Sequence, residues 1–497
     1  MNRKFLLLLA SVLIAGGAVS CGKWLEATSS GQISDSDLFS SRSGFLEALT
    51  GVYIDLASSQ CYGQNFTWGV NDIVIYPYTA NSYASISTWQ NHLYTNQTAV
   101  PILKSMWQGA YHVIADINRL IAELEVTDVL TDKEEKSLIR GELLALRAFI
   151  HFDLLRMYGP IGFSEEDKQK LVIPYATAYS LDPAPQHTLE KTMSLIESDI
   201  DAALQALSED PITGKASARF FSTCNADGYW NGRLRHMNYY AAEALKVRVL
   251  LWQDRVAEAA SLAKTIAEEA LAVGAVSWTD PDAQLKAVSS DVRDWTFSTE
   301  QLFSLDVTSL YDNVQPYFFN NIKGSVSLEV DPLVVENFFN PESEDGNEDI
   351  RGPAMMLSYN GSSFKLNKYF GSSSQSAEFR DRVPLIRLSE LYLIQAEGAL
   401  QANDSETFFS CLDAIRAHRG ITGESRGSVP FDEIGIFEEY VREFAGEGQL
   451  FFYEKRVYGR NRAPVRTVSP YLTNVPASKL FVYPYPLEEI SYGRVQE

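Results

Sequence analysis

Between Ser137 and Pro160 the apolar residues refuse to keep to one stripe, and this constrains the fold more than any other stretch. Leu143, Leu144, Leu146, Phe149, Ile150, Phe152, Leu154, Leu155 and Met157 go all the way round a 3.6-residue helix. That distribution predicts a helix buried on most sides. Ala145 and Ala148 let a neighbouring helix approach closely. Gly159-Pro160 predicts the stop, with glycine as a left-handed cap and proline unable to continue. Four charges remain inside: Glu142, Arg147, Asp153 and Arg156. Buried charges persist only when paired, so these are expected to bond one another or adjacent helices. The segment is read as core, not as an active site.

The first twenty residues read as an export signal: Arg3 and Lys4, an apolar run from Phe5 to Ala18, then small residues before Cys21. Cysteine at that point predicts lipidation of Cys21 and a protein anchored by lipid chains. No later stretch reaches the roughly 18 uncharged apolar residues of a membrane helix. The net charge of −22 argues against nucleic acid, whose phosphates require clustered Lys and Arg. Cys61, Cys224 and Cys411 show no CxxC, so neither a disulfide framework nor a zinc site is indicated, and their pairing is left open.

Residues 21–44 look like a lipidated start and polar tether, and 45–497 like one domain with a helical part (45–272) and a loop-rich and C-terminal helical part (273–497). Phe45, Leu49, Val52, Tyr53 and Leu56 have helical spacing, whereas 60–98 loses any period and reads as loop. Helical period returns from Met106, and Asn118 at its edge is expected to bond backbone. Thr188 is a plausible N-cap for a helix carrying Leu189, Met193, Ile196, Ile200 and Leu204. Two helix pairs follow, 236–253 with 255–272 and 387–402 with 405–419, broken at Gln253-Asp254 and Ala402-Asn403-Asp404. Pairs of that length repeat in the mid-thirties, the size of a tetratricopeptide unit. Residues 274–385 are mixed with a strand-like run at Gln301 to Leu305, and 462 onward reads as an extended tail packed on the surface.

The run from Arg140 to Gly159 resembles the hallmark helix of the SusD/RagB family, the outer-membrane nutrient-binding lipoproteins of Bacteroidetes. Six further segments resemble that family in the same order: Cys21 to Glu26, Trp107 to Ile121, Val383 to Glu397, Ile415 to Gly420, Glu443 to Gly448 with Lys455-Arg456, and Tyr485 to Glu489. The chain departs in lacking a proline after Leu25-Glu26, in Val441 to Glu447, and in Val19. The resemblance implies a mainly α fold: a tetratricopeptide-like superhelix of helix pairs with a packed irregular region bearing few short strands. It also implies glycan binding at the outer membrane's exterior face and a TonB-dependent SusC-like transporter as partner; no cofactor is expected. RagB-like members capture peptides, which stands as an alternative.

A sugar site needs an exposed aromatic platform with polar groups beside it. The aromatic-polar stretch 65–94 has that chemistry, with Trp89 as platform, Tyr76, Tyr78 and Tyr83 beside it, and Asn81 and Asn91 for hydroxyls. A second candidate is 293–319, with Trp295, Tyr311, Tyr317 and Phe318. The competing reading of each ring is core. Asp345 to Asp349 suggests calcium, but the EF-hand spacing fails, and Asp349 with Arg351 reads as a local ion pair. The six histidines show no metal spacing. Hydrolase, metalloprotease and nucleotide-binding motifs are absent, so an enzyme is not expected; a glycoside hydrolase needs only two carboxylates and stays a remote rival. A protein–protein adaptor fits the helix pairs but not the Cys21 segment or the aromatic loops.

Overall fold

A computed structural model describes residues 38–80, 84–287, 289, 292–319, 328–340, 348–371, 375–376, 379–461 and 476–492. Cys21, Asn81 and Tyr83, named above, lie outside these, as do Asp345, Gly346 and Asn347. The chain divides into two compact units, Met1–Ala48 and Leu49–Glu497. Of the first, the described residues are 38–48, a turn and the opening of the helix Arg42–Leu56 (α1). The second unit holds the remaining elements.

Its scaffold is a run of long helices in which each packs on the next: α2 (Ala99–Val126), α3 (Lys133–Tyr158), α4 (Leu189–Ala206), α5 (Tyr239–Trp252), α6 (Val256–Ala272), α7 (Leu388–Gln401) and α8 (Ser405–Ala417). Two more, α9 (Glu433–Glu443) and α10 (Gln449–Asn461), complete it, with α9 against α7. This is the predicted mainly helical, tetratricopeptide-like architecture. The two tight hairpins turn where the sequence breaks them. Asp254 and Asn403 adopt left-handed φ values of 62° and 54°, a conformation short polar side chains tolerate. Thr188 caps α4 as expected, its hydroxyl accepting from the Lys191 N–H.

Helix α3 is the most enclosed element. Every residue from Leu143 to Tyr158 is buried, and each fully buried Leu or Phe contributes about 1.5–3 kcal/mol. Asp132 caps its start by accepting from the Glu134 and Glu135 N–H groups. Its end differs from the expectation. Gly159 sits at φ −80°, ψ 179°, extended rather than left-handed, because a residue before proline is driven to extended backbone. Glycine is still required there: a Cβ would lie 2.6 Å from the Leu155 carbonyl oxygen.

All four predicted buried charges find partners. Arg147 meets Asp199, with Asn118 accepting from its Nη1 at 2.8 Å. Asn118 in turn donates to the Ala176 carbonyl at 3.0 Å. Asp153 pairs with Arg156 and accepts from Tyr62 at 2.8 Å. Glu142 pairs with Arg233, and accepts from the Tyr53 hydroxyl at 2.7 Å. The arginine holds Glu142 down at a pKa of about 2 against the desolvation that would raise it.

The strands are short: β1 (Tyr78–Ala80), β2 (Leu171–Pro174), β3 (Gln186–Thr188), β4 (Gln301–Asp306), β5 (Leu328–Val330), β6 (Leu357–Tyr359), β7 (Phe364–Leu366) and β8 (Arg382–Arg387). They form a four-stranded sheet ordered β1-β5-β7-β6 and two antiparallel pairs, β2 with β3 and β4 with β8. The β4–β8 register sets Gln301 against Arg387 and leads into a fully buried ion network. Arg387 and Arg419 share Glu443; Arg419 is also clamped on Glu300, and Arg351 on Asp349, Glu439 and Glu443. The expected Asp349–Arg351 pair is therefore present as one edge of a larger lattice. Low-dielectric surroundings make such pairs strong once formed, and make any orphaned member costly.

Two expectations fail. The stretch 60–98 is not wholly irregular but contains helical turns at Val70–Ile73 and Ala84–Gln90. The tail is not a surface strap: Phe481 and Tyr483 are buried, and the Tyr483 hydroxyl donates to Asn71 at 2.9 Å. Aromatic bulk outweighs the prolines around it, because leaving such rings in water forfeits their burial energy. Among the described residues, Cys61, Cys224 and Cys411 are buried and form no disulfide.

Candidate ligand-binding site

The two aromatic stretches, 65–94 and 293–319, far apart in sequence, meet in one cluster. Trp68 packs edge-on against Tyr317 (5.3 Å between centroids) and Phe318 (6.0 Å), and Tyr78 against Phe318 (5.9 Å). Gln64 Nε2 reaches the Tyr317 hydroxyl at 3.4 Å. Above this floor, Tyr311 stacks on Phe319 at 5.5 Å, and Phe370 stands edge-on to both at 5.7 Å. The helix Leu310–Phe318 carries Tyr311 and Tyr317. It starts from Ser309 in a left-handed conformation, and the Asp381 carboxylate accepts from the Leu310 N–H.

Burial sorts the candidates. Trp89 is only 5% exposed and Trp295 only 4%; Tyr76, Tyr78 and Phe318 are enclosed as well. Trp89, expected as the platform, instead packs against Tyr94. A ring with no open face cannot stack on a sugar, so these five form the support. Tyr311, Tyr317, Phe319 and Phe370 are half-buried and keep accessible surface, with Asp312 and Asn313 exposed beside them. Asn91 is exposed but donates to the Ser87 carbonyl at 2.7 Å, turned back on its own helix. The Trp295 indole N–H has no hydrogen-bond partner among the described residues, and it lines a crevice of about 10 Å³ with Tyr311, Phe370 and Gln375. That is room for about one water.

The support is electrostatically fixed from below. Asp72 accepts from the Tyr78 hydroxyl at 2.7 Å and from the Gly446 and Gly448 N–H groups at 3.1 Å. Burial pushes the Asp72 carboxyl up to about 7, with these donors and Lys368 opposing it. Gly446 and Gly448 take left-handed φ values of 76° and 72°, which aims both amides at the carboxylate. The Glu-Gly segment thus locks the aromatic stretch to the C-terminal helices.

A larger opening lies elsewhere and was not legible in sequence. A cleft of about 660 Å³ runs between one face of α2 (Trp107, Tyr111, Asn118), the loop 174–184 and the helix Leu487–Tyr492. Leu181 is fully exposed on its rim, with Tyr179 and Tyr492 largely so. Its volume lies within the range of small-ligand sites. Three segments from distant parts of the chain build it, and their local patterns do not show that they meet.

Two family models match the chain: one described as starch-binding, associating with the outer membrane, over residues 23–223, and the SusD family over 336–464. Solved structures align along most of the chain. A SusD superfamily protein from Bacteroides thetaiotaomicron VPI-5482 is 21% identical, covering 91% of this chain and 98% of that one, with a TM-score of 0.67. A putative sugar binding protein from Bacteroides vulgatus ATCC 8482 is 20% identical over 84% and 86%, TM-score 0.64. A SusD-like carbohydrate binding protein from the same strain is 18% identical over 92% and 97%, TM-score 0.64. No curated protein shows significant similarity. None of the described helices is long and apolar enough to cross a membrane. With both family models matched in order on a helical-pair scaffold, the chain belongs to the SusD/RagB family of outer-membrane-associated, nutrient-binding proteins.

Proposed function

We propose that the protein is a non-catalytic receptor that binds oligosaccharides or polysaccharides at the cell surface and passes them to a TonB-dependent, SusC-like transporter, anchored through a lipidated Cys21. One observation carries the choice of site: Tyr311, Tyr317, Phe319 and Phe370 present half-exposed rings on a rigid aromatic floor. Sugar rings stack their C–H faces on such rings, and Asp312 and Asn313, exposed on the same helix, are polar groups available to hydroxyls. Stacking demands no proton transfer, so no paired acid and base is required. The similar folds of a putative sugar binding protein and a SusD-like carbohydrate binding protein agree with this ligand class.

Affinity electrophoresis against a panel of plant, host and microbial polysaccharides tests the reading. Retardation by at least one glycan, abolished in Tyr311→Ala/Tyr317→Ala, is the expected result. Loss of retardation in Tyr179→Ala/Tyr492→Ala instead would move the site to the α2 cleft. Release of sugar from any retarding polysaccharide would overturn the non-catalytic role.

A further inference from the structure

Outside the ligand cluster, three side chains with metal-binding chemistry converge. His112 and Asp116 are one helical turn apart on α2, which places them on the same face. The His112 Nε2 lies 3.6 Å from Asp116 Oδ2. Asp55, at the end of α1, brings a second carboxylate, and one ligand atom from each of the three residues lies within 4.8 Å of the others. Bonds of about 2.0–2.2 Å to nitrogen and oxygen place neighbouring ligand atoms roughly 3–4 Å apart around a small divalent ion. The histidine–aspartate pair already has that separation. The two edges to Asp55 also lie within 4.8 Å.

A helical ion pair between His112 and Asp116 is the simpler account, and it leaves Asp55 unexplained. Two carboxylates here face one imidazole. Among the described residues neither carboxylate takes a hydrogen bond or an ion pair from Lys or Arg. Arg119 acts on Asp116 only through space, with its guanidinium over the Tyr179 ring at 5.7 Å. A divalent cation would neutralise the pair. One exposed imidazole with two half-buried carboxylates suits a transition ion such as Zn²⁺ better than the all-oxygen shells of Ca²⁺ and Mg²⁺. His112 also lines the 660 Å³ cleft, so the ion would stand at its mouth.

We propose that Asp55, His112 and Asp116 form a site for a divalent transition metal at the edge of the α2 cleft. The test uses the purified full-length chain, stripped with a chelator and titrated with Zn²⁺ alone against a chromogenic competitor. A single saturable equivalent is expected, weakened at least about tenfold in His112→Gln and in Asp55→Asn, as loss of one ligand from a three-ligand site requires. The imidazole is 68% exposed, so the metal-free His112→Gln variant should melt with the parent. Co²⁺ substitution should give visible absorbance that the same variants lose. Absence of saturable uptake overturns the site, as does uptake unchanged in both variants. Binding of Ca²⁺ in preference to Zn²⁺ would overturn the assigned class.

Discussion

Arg147 of α3 and Asp199 of α4 face each other through two parallel hydrogen bonds, Nε to Oδ2 and Nη2 to Oδ1, each 2.7 Å. With Asn118 on α2 completing the contact, a single guanidinium ties three consecutive helices. Removing one partner of a buried pair leaves the other charge uncompensated, at a cost of about 3–5 kcal/mol. Arg147→Met and Asp199→Leu are each expected to lower the unfolding free energy by that amount in urea titrations. The double variant should lose less than the sum, because it strands no charge.

His151 is held neutral. Its Nδ1 donates to the Arg147 carbonyl at 2.8 Å, its Nε2 accepts from the Ala176 N–H at 3.1 Å, and burial pushes its pKa down to about 3. Below its unfolded value near 6.5, the unfolded chain therefore binds a proton that the folded chain refuses. Stability from this group is complete above that pH and is lost progressively as pH falls towards 3. Between pH 6.5 and 5 the loss is about 2 kcal/mol. His151→Asn should flatten the denaturation profile across that window, whatever its effect at pH 7. An unchanged slope would remove His151 as the source.

Glu454 has the opposite sign. It is fully enclosed, its Oε1 has no hydrogen-bond partner among the described residues, and burial pushes its pKa up to about 8. The unfolded chain ionises first, so this group costs stability as pH rises from its ordinary carboxylate range through 8. Glu454→Gln should gain stability relative to the parent at pH 8 and little at pH 4, measured by the same denaturation curves.

Trp89 and Tyr311 should separate folding from binding. Truncating the buried ring in Trp89→Ala should cost about 3–5 kcal/mol of stability. Tyr311→Ala, on a half-exposed ring, should leave the melting temperature nearly unchanged while weakening glycan retardation roughly tenfold, the loss of one stacking contact. Glycan affinity unaltered by Tyr311→Ala would remove that ring from the platform.

Gly448 and Gly214 share a left-handed φ of 72° but differ in surroundings. A Cβ on Gly448 would lie 2.8 Å from the Thr67 carbonyl oxygen, whereas Gly214 has nothing within 4 Å. Gly214→Ala should cost about 1–2 kcal/mol from backbone strain alone. Gly448→Ala should cost more than that, and should disturb the amide that donates to Asp72. Thermal melts of the two variants side by side give the comparison.

What the sequence determined by itself is what periodicity and local chemistry control. The all-round apolar pattern of α3 specified burial, and burial in turn demanded partners for Glu142, Arg147, Asp153 and Arg156, although not which ones. Breaks at Asp254 and Asn403 specified the hairpins, because only short polar residues or glycine take that backbone cheaply. Tertiary structure alone decided the rest. Aromatic rings carry the same chemistry in core and site, so only packing could bury Trp89 and Trp295 while leaving Tyr311 and Tyr317 partly open. Tyr483, in a proline-rich tail, found the core for the same reason. The α2 cleft and the meeting of Asp55 with His112 and Asp116 join residues far apart in the chain. No local pattern encodes a distance between segments, because that distance is set by how the helices between them pack.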